Sequence, residues 1–130
     1  DVENTPDKTA LEQLMDSAKA IGIRVHIMGR LPENTKMGAL MIIALRECAN
    51  NAVRHAGADE LYAKVETEGT FYTLSVTNNG QIPQGEIKEG GGLGSLRTRI
   101  EKAGGKMSIR WVPEFELSIR LWQPEEDILW

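Results

Sequence analysis

The sequence has little cysteine and no long apolar run, and both shortages limit what the protein can be. Cys48 is the single cysteine in 130 residues, which excludes an internal disulfide framework and a cysteine-rich zinc site. The longest apolar run, residues 37–45, is too short to cross a bilayer, and no signal peptide is visible. These features predict a cytoplasmic segment with no direct membrane contact, and they leave open a membrane anchor elsewhere in the parent protein.

Positive charge is also scarce. Lys and Arg number 15 against 19 Asp and Glu, which gives a net charge of -4. A protein held on nucleic acid by phosphate contacts needs the opposite balance, so we expect no nucleic-acid partner. The hydrophobic share of 41% is ordinary for a globular domain, and the length suits one domain with a real core. Because the chain starts at Asp1 without a methionine, we expect it to be a piece of a longer protein.

Periodicity divides the chain into a polar lead-in over residues 1–8, one folded domain over 9–122 and an acidic tail over 123–130. Helical spacing of apolar residues predicts three helices: Thr9 to Ala20, Asn34 or Thr35 to about His55, and Leu93 to Ala103. Alternating apolar residues predict five strands, over 23–28, 61–66, 72–77, 107–111 and 115–121. The prediction is an α/β two-layer sandwich, in which three helices cover one face of the sheet.

The stretch ECANNAVRHA, residues 47–56, loads one face of the long helix with polar side chains. Spacings of four, three and one place Glu47, Asn51, Arg54 and His55 within an arc of roughly 120°. An asparagine oxygen suits Mg²⁺, an arginine fork suits phosphate, and a glutamate can orient a metal-bound water or act as a base. Taken alone, however, this pattern is more typical of a solvated helix face. His55 by itself is more typical of a histidine that stabilises a helix end.

The second motif is Asn78-Asn79-Gly80, directly after a predicted strand. Asn-Gly is a common hairpin turn, but no alternating strand follows Gly80 for a hairpin to pair with. A strand that opens into a loop at this point can instead place the amide of Asn78 against the edge of a base.

The third motif is the glycine-rich run GGGLGS, residues 90–95, which leads into the third helix. Glycines allow successive backbone N–H groups to face one ligand, and a helix N-terminus favours an anion. A glycine cluster alone is more often a mobile loop, and the Walker and Rossmann arrangements are absent here.

The order and spacing of the three motifs resemble the ATP-binding domain shared by sensor histidine kinases, gyrase, mismatch-repair ATPases and a heat-shock chaperone. ECANNAVRHA is similar to the asparagine box, NNG to the first glycine box, and GGGLGSLRTRIEKAGG to the second. The sensor histidine kinase branch of two-component systems fits best, and the resemblance covers residues 9 to 122. It implies a Bergerat-type fold with a mixed, mainly antiparallel sheet.

The resemblance also implies roles for individual residues. Asn51 would bind Mg²⁺, Glu47 would be its polar neighbour and possible base, and Arg54 and His55 would contact phosphates. Asn78 would bind the adenine amino group, with Gly80 and Ile82 shaping the base pocket. Residues 81–91 would form an ATP lid. The backbone on the phosphate side would come from Gly90, Gly92, Leu93 and Gly94. The cofactors implied are ATP and Mg²⁺.

Three departures from the family pattern predict weak or selective nucleotide affinity. Asn78 stands where the family has Asp, Ile82-Pro83 where many relatives have a second glycine, and Glu114-Phe115 where a Gly-Thr pair is common. An amide in place of the carboxylate weakens the hydrogen bond to the base by about 1 kcal/mol.

The implied function is transfer of the γ-phosphoryl group of ATP to a histidine on a separate dimerisation domain, for relay to a response regulator. Neither His26 nor His55 suits the acceptor role, so we expect the segment to be inefficient alone. We expect it to be a monomer and the parent protein a homodimer. The alternatives are a serine kinase or ATPase of the same superfamily, and a non-catalytic interaction module that lost nucleotide binding.

Overall fold

The computed structural model describes residues 8–33 and 35–122. Its elements run α1 (Ala10–Ala20), β1 (Arg24–Met28), α2 (Lys36–Ala56), β2 (Glu60–Glu68), β3 (Phe71–Asn78), α3 (Gly91–Lys102), β4 (Lys106–Arg110) and β5 (Glu116–Trp122). Most of the predicted lead-in and the whole of the predicted tail lie outside the described residues. Lys8, the described end of the lead-in, pairs with Asp16 of α1.

The five strands form one sheet in the order β1-β2-β3-β5-β4. β1 and β2 are parallel, whereas β2–β3, β3–β5 and β4–β5 are antiparallel. Helix α2 makes the crossover that a parallel pair requires, and it therefore lies across the sheet. The predicted mixed, mainly antiparallel sheet of five strands is confirmed.

The core lies between the sheet and the helices. In β2 the buried residues Leu61, Ala63 and Val65 alternate with exposed Tyr62 and Lys64. In the other strands too, residues on one face are more buried than those on the other, so one face of the sheet packs against the helical layer, and no described element covers the other face. The two-layer α/β prediction is confirmed. Among the described residues, no helix is long and apolar enough to span a membrane.

Helices α1 and α2 begin at clear capping residues, and α2 also ends at one. Thr9 caps α1 through a capping box with Glu12. Thr35 accepts a hydrogen bond from the Gly38 N–H at 2.9 Å and so caps α2, whereas the alternative cap, Asn34, lies outside the described residues. At the other end of α2, Gly57 adopts the left-handed conformation at φ 61°, which ends the helix.

The predicted start of α3 was wrong by two residues. The prediction placed it at Leu93, but the helix begins at Gly91, so Gly91 belongs to the helix and not to the predicted lid. Leu93, Leu96 and Ile100 are buried, and their packing outweighs the low helix propensity of the two glycines before them. The loop that remains, residues 81–90, is called the lid loop below.

Candidate functional site

A cavity of about 640 Å³ lies where α2 ends, β3 ends and α3 begins. Its walls are the last three turns of α2, Asn78 at the end of β3, most of the lid loop, Leu93 of α3 and Phe115 just before β5. This volume falls within the usual range for a small-molecule site. The motifs that the sequence analysis singled out thus meet around one cavity.

The end of β3 is packed directly against the end of α2. The Gln81 N–H donates to the Ala56 carbonyl oxygen at 2.8 Å. A Cβ atom at Gly80 would lie 2.6 Å from the Ala56 Cβ and 2.9 Å from its carbonyl carbon, so only glycine allows this approach. Gly80 therefore sets the distance between the strand and the helix and does not itself line the cavity.

At the same end of the cavity, two asparagines hold the backbone. The Oδ1 atom of Asn78, which lines the cavity, accepts from the Gly80 N–H at 2.8 Å. The Oδ1 atom of Asn79 accepts from the N–H groups of Asp59 and Glu60 at 3.0 and 2.9 Å, and its Nδ2 donates to the Asp59 carboxylate at 2.6 Å. Asn79 thus joins the start of β2 to the end of β3, a role that the sequence analysis missed.

Helix α2 supplies the polar wall that was predicted from its spacing. Asn51 is half-buried and His55 is exposed, and both line the cavity. Glu47 is half-buried one turn before Asn51. Arg54 is exposed on the last turn and lies outside the cavity lining. Two of the four predicted polar residues therefore face the cavity itself, and the other two flank it.

The glycines at the start of α3 bring the helix backbone close to Glu47. A Cβ atom at Gly92 would lie 2.5 Å from the Glu47 carboxyl carbon, so the carboxylate rests against the first turn of α3. Gly90, the N-cap residue, and buried Leu93 line the cavity. Gly94 faces the carbonyl oxygen of Glu89, which would lie 3.2 Å from a Cβ atom at that position.

The C-terminal end of the lid loop is fastened to α3 by an ion pair. Arg97 donates from Nε and from a terminal nitrogen to the two carboxylate oxygens of Glu89, at 2.6 and 2.7 Å. A third donor reaches the Met107 carbonyl oxygen at 2.6 Å. The hydrogen bond from Arg97 holds the pKa of Glu89 below its usual range and raises the pKa of Arg97. Arg97 belongs to the Arg-x-Arg run of the third motif, but its pairing with Glu89 was not predicted from the sequence.

Cys48 and Phe115 also line the cavity. Burial, aided by the charge of Glu47, raises the pKa of the Cys48 thiol to about 12, which disfavours the reactive thiolate form. Its apolar spacing on α2 predicted burial but not contact with the cavity. Phe115 had drawn attention only because it stands where the family has threonine.

Taken together, the cavity has three chemically different parts. One end offers the Asn78 amide beside the apolar surfaces of Ile82 and Phe115, and the other offers the first-turn backbone of α3. Asn51 and His55 lie along the wall between them. Such an arrangement suits an elongated ligand that is flat at one end and anionic at the other.

Comparisons with known proteins point to one family. The chain is 32% identical over 80 residues to the sensor histidine kinase YxjM of Bacillus subtilis, an alignment that covers 62% of this chain and 20% of YxjM. It is 30% identical over 86 residues to the signal transduction histidine-protein kinase/phosphatase DegS of Brevibacillus brevis, covering 65% of this chain and 22% of DegS. The chain therefore spans about one fifth of the length of the curated relatives that it matches. No family model matches the sequence.

The fold has a close counterpart among solved structures. The ATP-binding domain of PrrB from Mycobacterium tuberculosis superposes with a TM-score of 0.68 at 22% sequence identity, covering 88% of this chain and 92% of that one. At this identity the likeness concerns the fold, and it extends over nearly the whole of the PrrB domain. The chain is thus similar in sequence to sensor histidine kinases, and it has the fold of a solved ATP-binding domain.

Proposed function

We propose that the chain binds Mg-ATP in this cavity and presents the γ-phosphoryl group to a histidine on a separate dimerisation domain, for relay to a response regulator. The observation that carries the proposal is the meeting of the polar end of α2, the end of β3 and the glycine-rich start of α3 around one cavity. The histidine kinase relatives supply the reaction class.

The base would bind at the end of the cavity formed by Asn78, Ile82 and Phe115. Because the Gly80 N–H donates to the Asn78 Oδ1 atom, the amide is held in one orientation. Its side chain has both donors and an acceptor for the edge of a base, and Ile82 and Phe115 offer apolar contacts to the ring. Gly80 would act indirectly, by fixing where β3 ends against α2.

The phosphates would bind at the other end, toward Asn51 and α3. Asn51 fits Mg²⁺, because its amide oxygen is a hard neutral ligand on the cavity wall and Mg²⁺ commonly shares its remaining ligands with waters and substrate phosphates. Gly90 has no side chain to cap α3, so the first-turn N–H groups near Gly92 and Gly94 remain for an anion. His55 on the wall and Arg54 beyond it would neutralise phosphate charge.

Phosphoryl transfer depends mainly on positioning and on charge neutralisation, and the residues around the cavity can supply both. Glu47, one turn before Asn51, would orient a metal-bound water or accept a proton. Neither histidine of the chain is well placed as the acceptor. His26 stacks on Tyr62 at 5.4 Å and pairs with Glu60 on the face of the sheet away from the helices, whereas His55 lines the proposed ATP cavity itself. The acceptor histidine would therefore belong to a partner domain.

The test is calorimetric titration of the full chain with Mg-ATP and Mg-ADP, beside the variants Asn51→Ala and Asn50→Ala. Asn50 is exposed on the same helix and serves as the matched control. We expect native and N50A chains to bind both nucleotides and N51A to lose the magnesium-dependent part of the affinity. Absence of heat from the native chain would contradict both enzyme hypotheses and favour a non-catalytic module. Equal affinities of N51A and N50A for Mg-ATP would contradict a role for Asn51 as a Mg²⁺ ligand.

The histidine specificity needs a second measurement. Incubation with labelled ATP should leave the chain's own histidines unlabelled and should label a histidine-bearing dimerisation domain of the parent protein. Efficient labelling of His26 or His55 in the chain alone would contradict the proposed division of labour. Transfer to a serine of another protein would support the serine kinase alternative.

A further inference from the structure

We infer that Arg97 is a positioning residue for the nucleotide site: it holds the C-terminal end of the lid loop in place by joining Glu89 to β4. This inference rests on the proposed function for its effect on nucleotide, but the restraint on the loop can be measured without any ligand.

The first support is the geometry of the Glu89–Arg97 pair. Two parallel hydrogen bonds of 2.6 and 2.7 Å join a guanidinium to a carboxylate, the arrangement with the best-defined direction among ion pairs. The side chains of Arg97 and Glu89 are 30% and 27% exposed. The pair lies at the surface, so it is the two-point geometry of its hydrogen bonds that defines the position of Glu89.

The second support is that Arg97 is itself anchored. Its remaining terminal nitrogen donates to the Met107 carbonyl oxygen on β4, the last strand of the sheet, at 2.6 Å. Glu101, one turn further along α3, lies 3.8 Å from the same nitrogen. Contacts with β4 and α3 therefore fix the guanidinium independently of the lid loop. Through Arg97, Glu89 is held to β4 and α3.

The third support is the place of Glu89 in the chain. Lys88 and Gly90, its two neighbours, both line the cavity. The Glu89 backbone also lies against Gly94, where the lack of a side chain allows the close approach. A loop end held on both sides in this way keeps the cavity wall formed when no nucleotide is bound. Binding then costs less loop ordering.

The experiment compares the native chain of 130 residues with Arg97→Gln, using Arg99→Gln as the matched control. Arg99 lies on the same helix and is exposed, so both variants remove one arginine from α3. Hydrogen exchange of the nucleotide-free proteins should show the Gly90 amide, which donates to the Lys88 carbonyl oxygen at 3.1 Å, exchanging about tenfold faster in R97Q than in R99Q, with β2 and β3 unchanged. Unchanged exchange of this amide would overturn the inference, whatever the nucleotide result.

Mg-ATP titration of the same variants then separates the inference from the proposed function. R97Q should bind about tenfold more weakly than R99Q, and the double variant E89R/R97E, which restores the pair but not the bond to Met107, should recover part of the loss. If R97Q exchanges faster but the native chain binds no Mg-ATP, the restraint stands and the proposed function fails. If R97Q and R99Q bind nucleotide equally while R97Q exchanges faster, the effect on the site is refuted.

Discussion

Replacing Gly80 by alanine should push the end of β3 away from the end of α2. A Cβ atom at this position would meet the Ala56 Cβ at 2.6 Å and the Ala56 carbonyl carbon at 2.9 Å. Both are atoms of the last turn of a 21-residue helix, so neither can move aside like the end of a flexible side chain. The chain at 80–81 must therefore shift, and the hydrogen bond from the Gln81 N–H to the Ala56 carbonyl oxygen lengthens or breaks.

The magnitude follows from these two effects. Forcing a methyl group into a packed contact costs about 1–3 kcal/mol, and loss of one backbone hydrogen bond adds about 1 kcal/mol. We expect the free energy of unfolding to fall by about 2–4 kcal/mol in Gly80→Ala. The control is Gly85→Ala in the same loop, because a Cβ atom there meets open space, and its stability should be unchanged or raised by up to about 1 kcal/mol.

Urea denaturation of the native chain and the two variants, followed by far-UV circular dichroism, measures the difference. The slope with urea should stay constant, so that the shift in midpoint reports stability alone. If G80A and G85A unfold at the same urea concentration, the close approach of β3 to α2 is not a determinant of stability, and the explanation of Gly80 is refuted. If G80A is destabilised but keeps full nucleotide affinity, Gly80 is structural without shaping the base pocket.

Two further predictions follow from the other end of the site. In Gly92→Ala, the new methyl group would displace the Glu47 carboxylate. Because that carboxylate is a flexible group, the free energy of unfolding should change by less than about 1 kcal/mol, while phosphoryl transfer to the partner histidine falls. Transfer at the native rate would exclude a role for Glu47. The lowered pKa of Glu89 means that its ion pair stabilises the fold above the ordinary glutamate pKa of 4.5 and loses that contribution as the pH falls toward the folded-state pKa. The stability difference between the native chain and Glu89→Gln in urea should therefore be present at about pH 7 and shrink below 4.5, and a difference that grew on acidification would contradict the assignment.

Much of the fold could be predicted because its signals are local. The alternation in β2 fixed which residues are buried, and the nine buried positions of α2 recur with helical spacing. The start of α3 was misplaced because glycine is a poor helix former, and only the packing of Leu93 and Leu96 against the core shows that the helix already exists at Gly91. A single sequence does not contain that tertiary effect.

The candidate site likewise has a part that could be predicted from the sequence and a part that could not. Asn51, His55, Asn78, Ile82, Gly90 and Leu93, all singled out from motifs, line the cavity. The contacts that fix its shape join residues far apart in sequence, as when Asn79 binds the backbone 19 and 20 positions earlier. Glu89 and Arg97 are eight residues apart, and α3 starts between them, so no single helix or strand period runs through both. Contacts between residues so far apart depend on how the loop is folded, and no pattern in the sequence predicts the fold of the loop.

Helix α2 connects the two ends of the proposed site. Ala56 meets Gly80 at the base end and Glu47 meets Gly92 at the phosphate end, each contact depending on the absence of a side chain. Nine residues separate Glu47 from Ala56, which corresponds to about 14 Å along the helix axis. The two glycine contacts therefore fix the helix relative to both of its neighbours, and the wall that carries Asn51 and His55 lies between them.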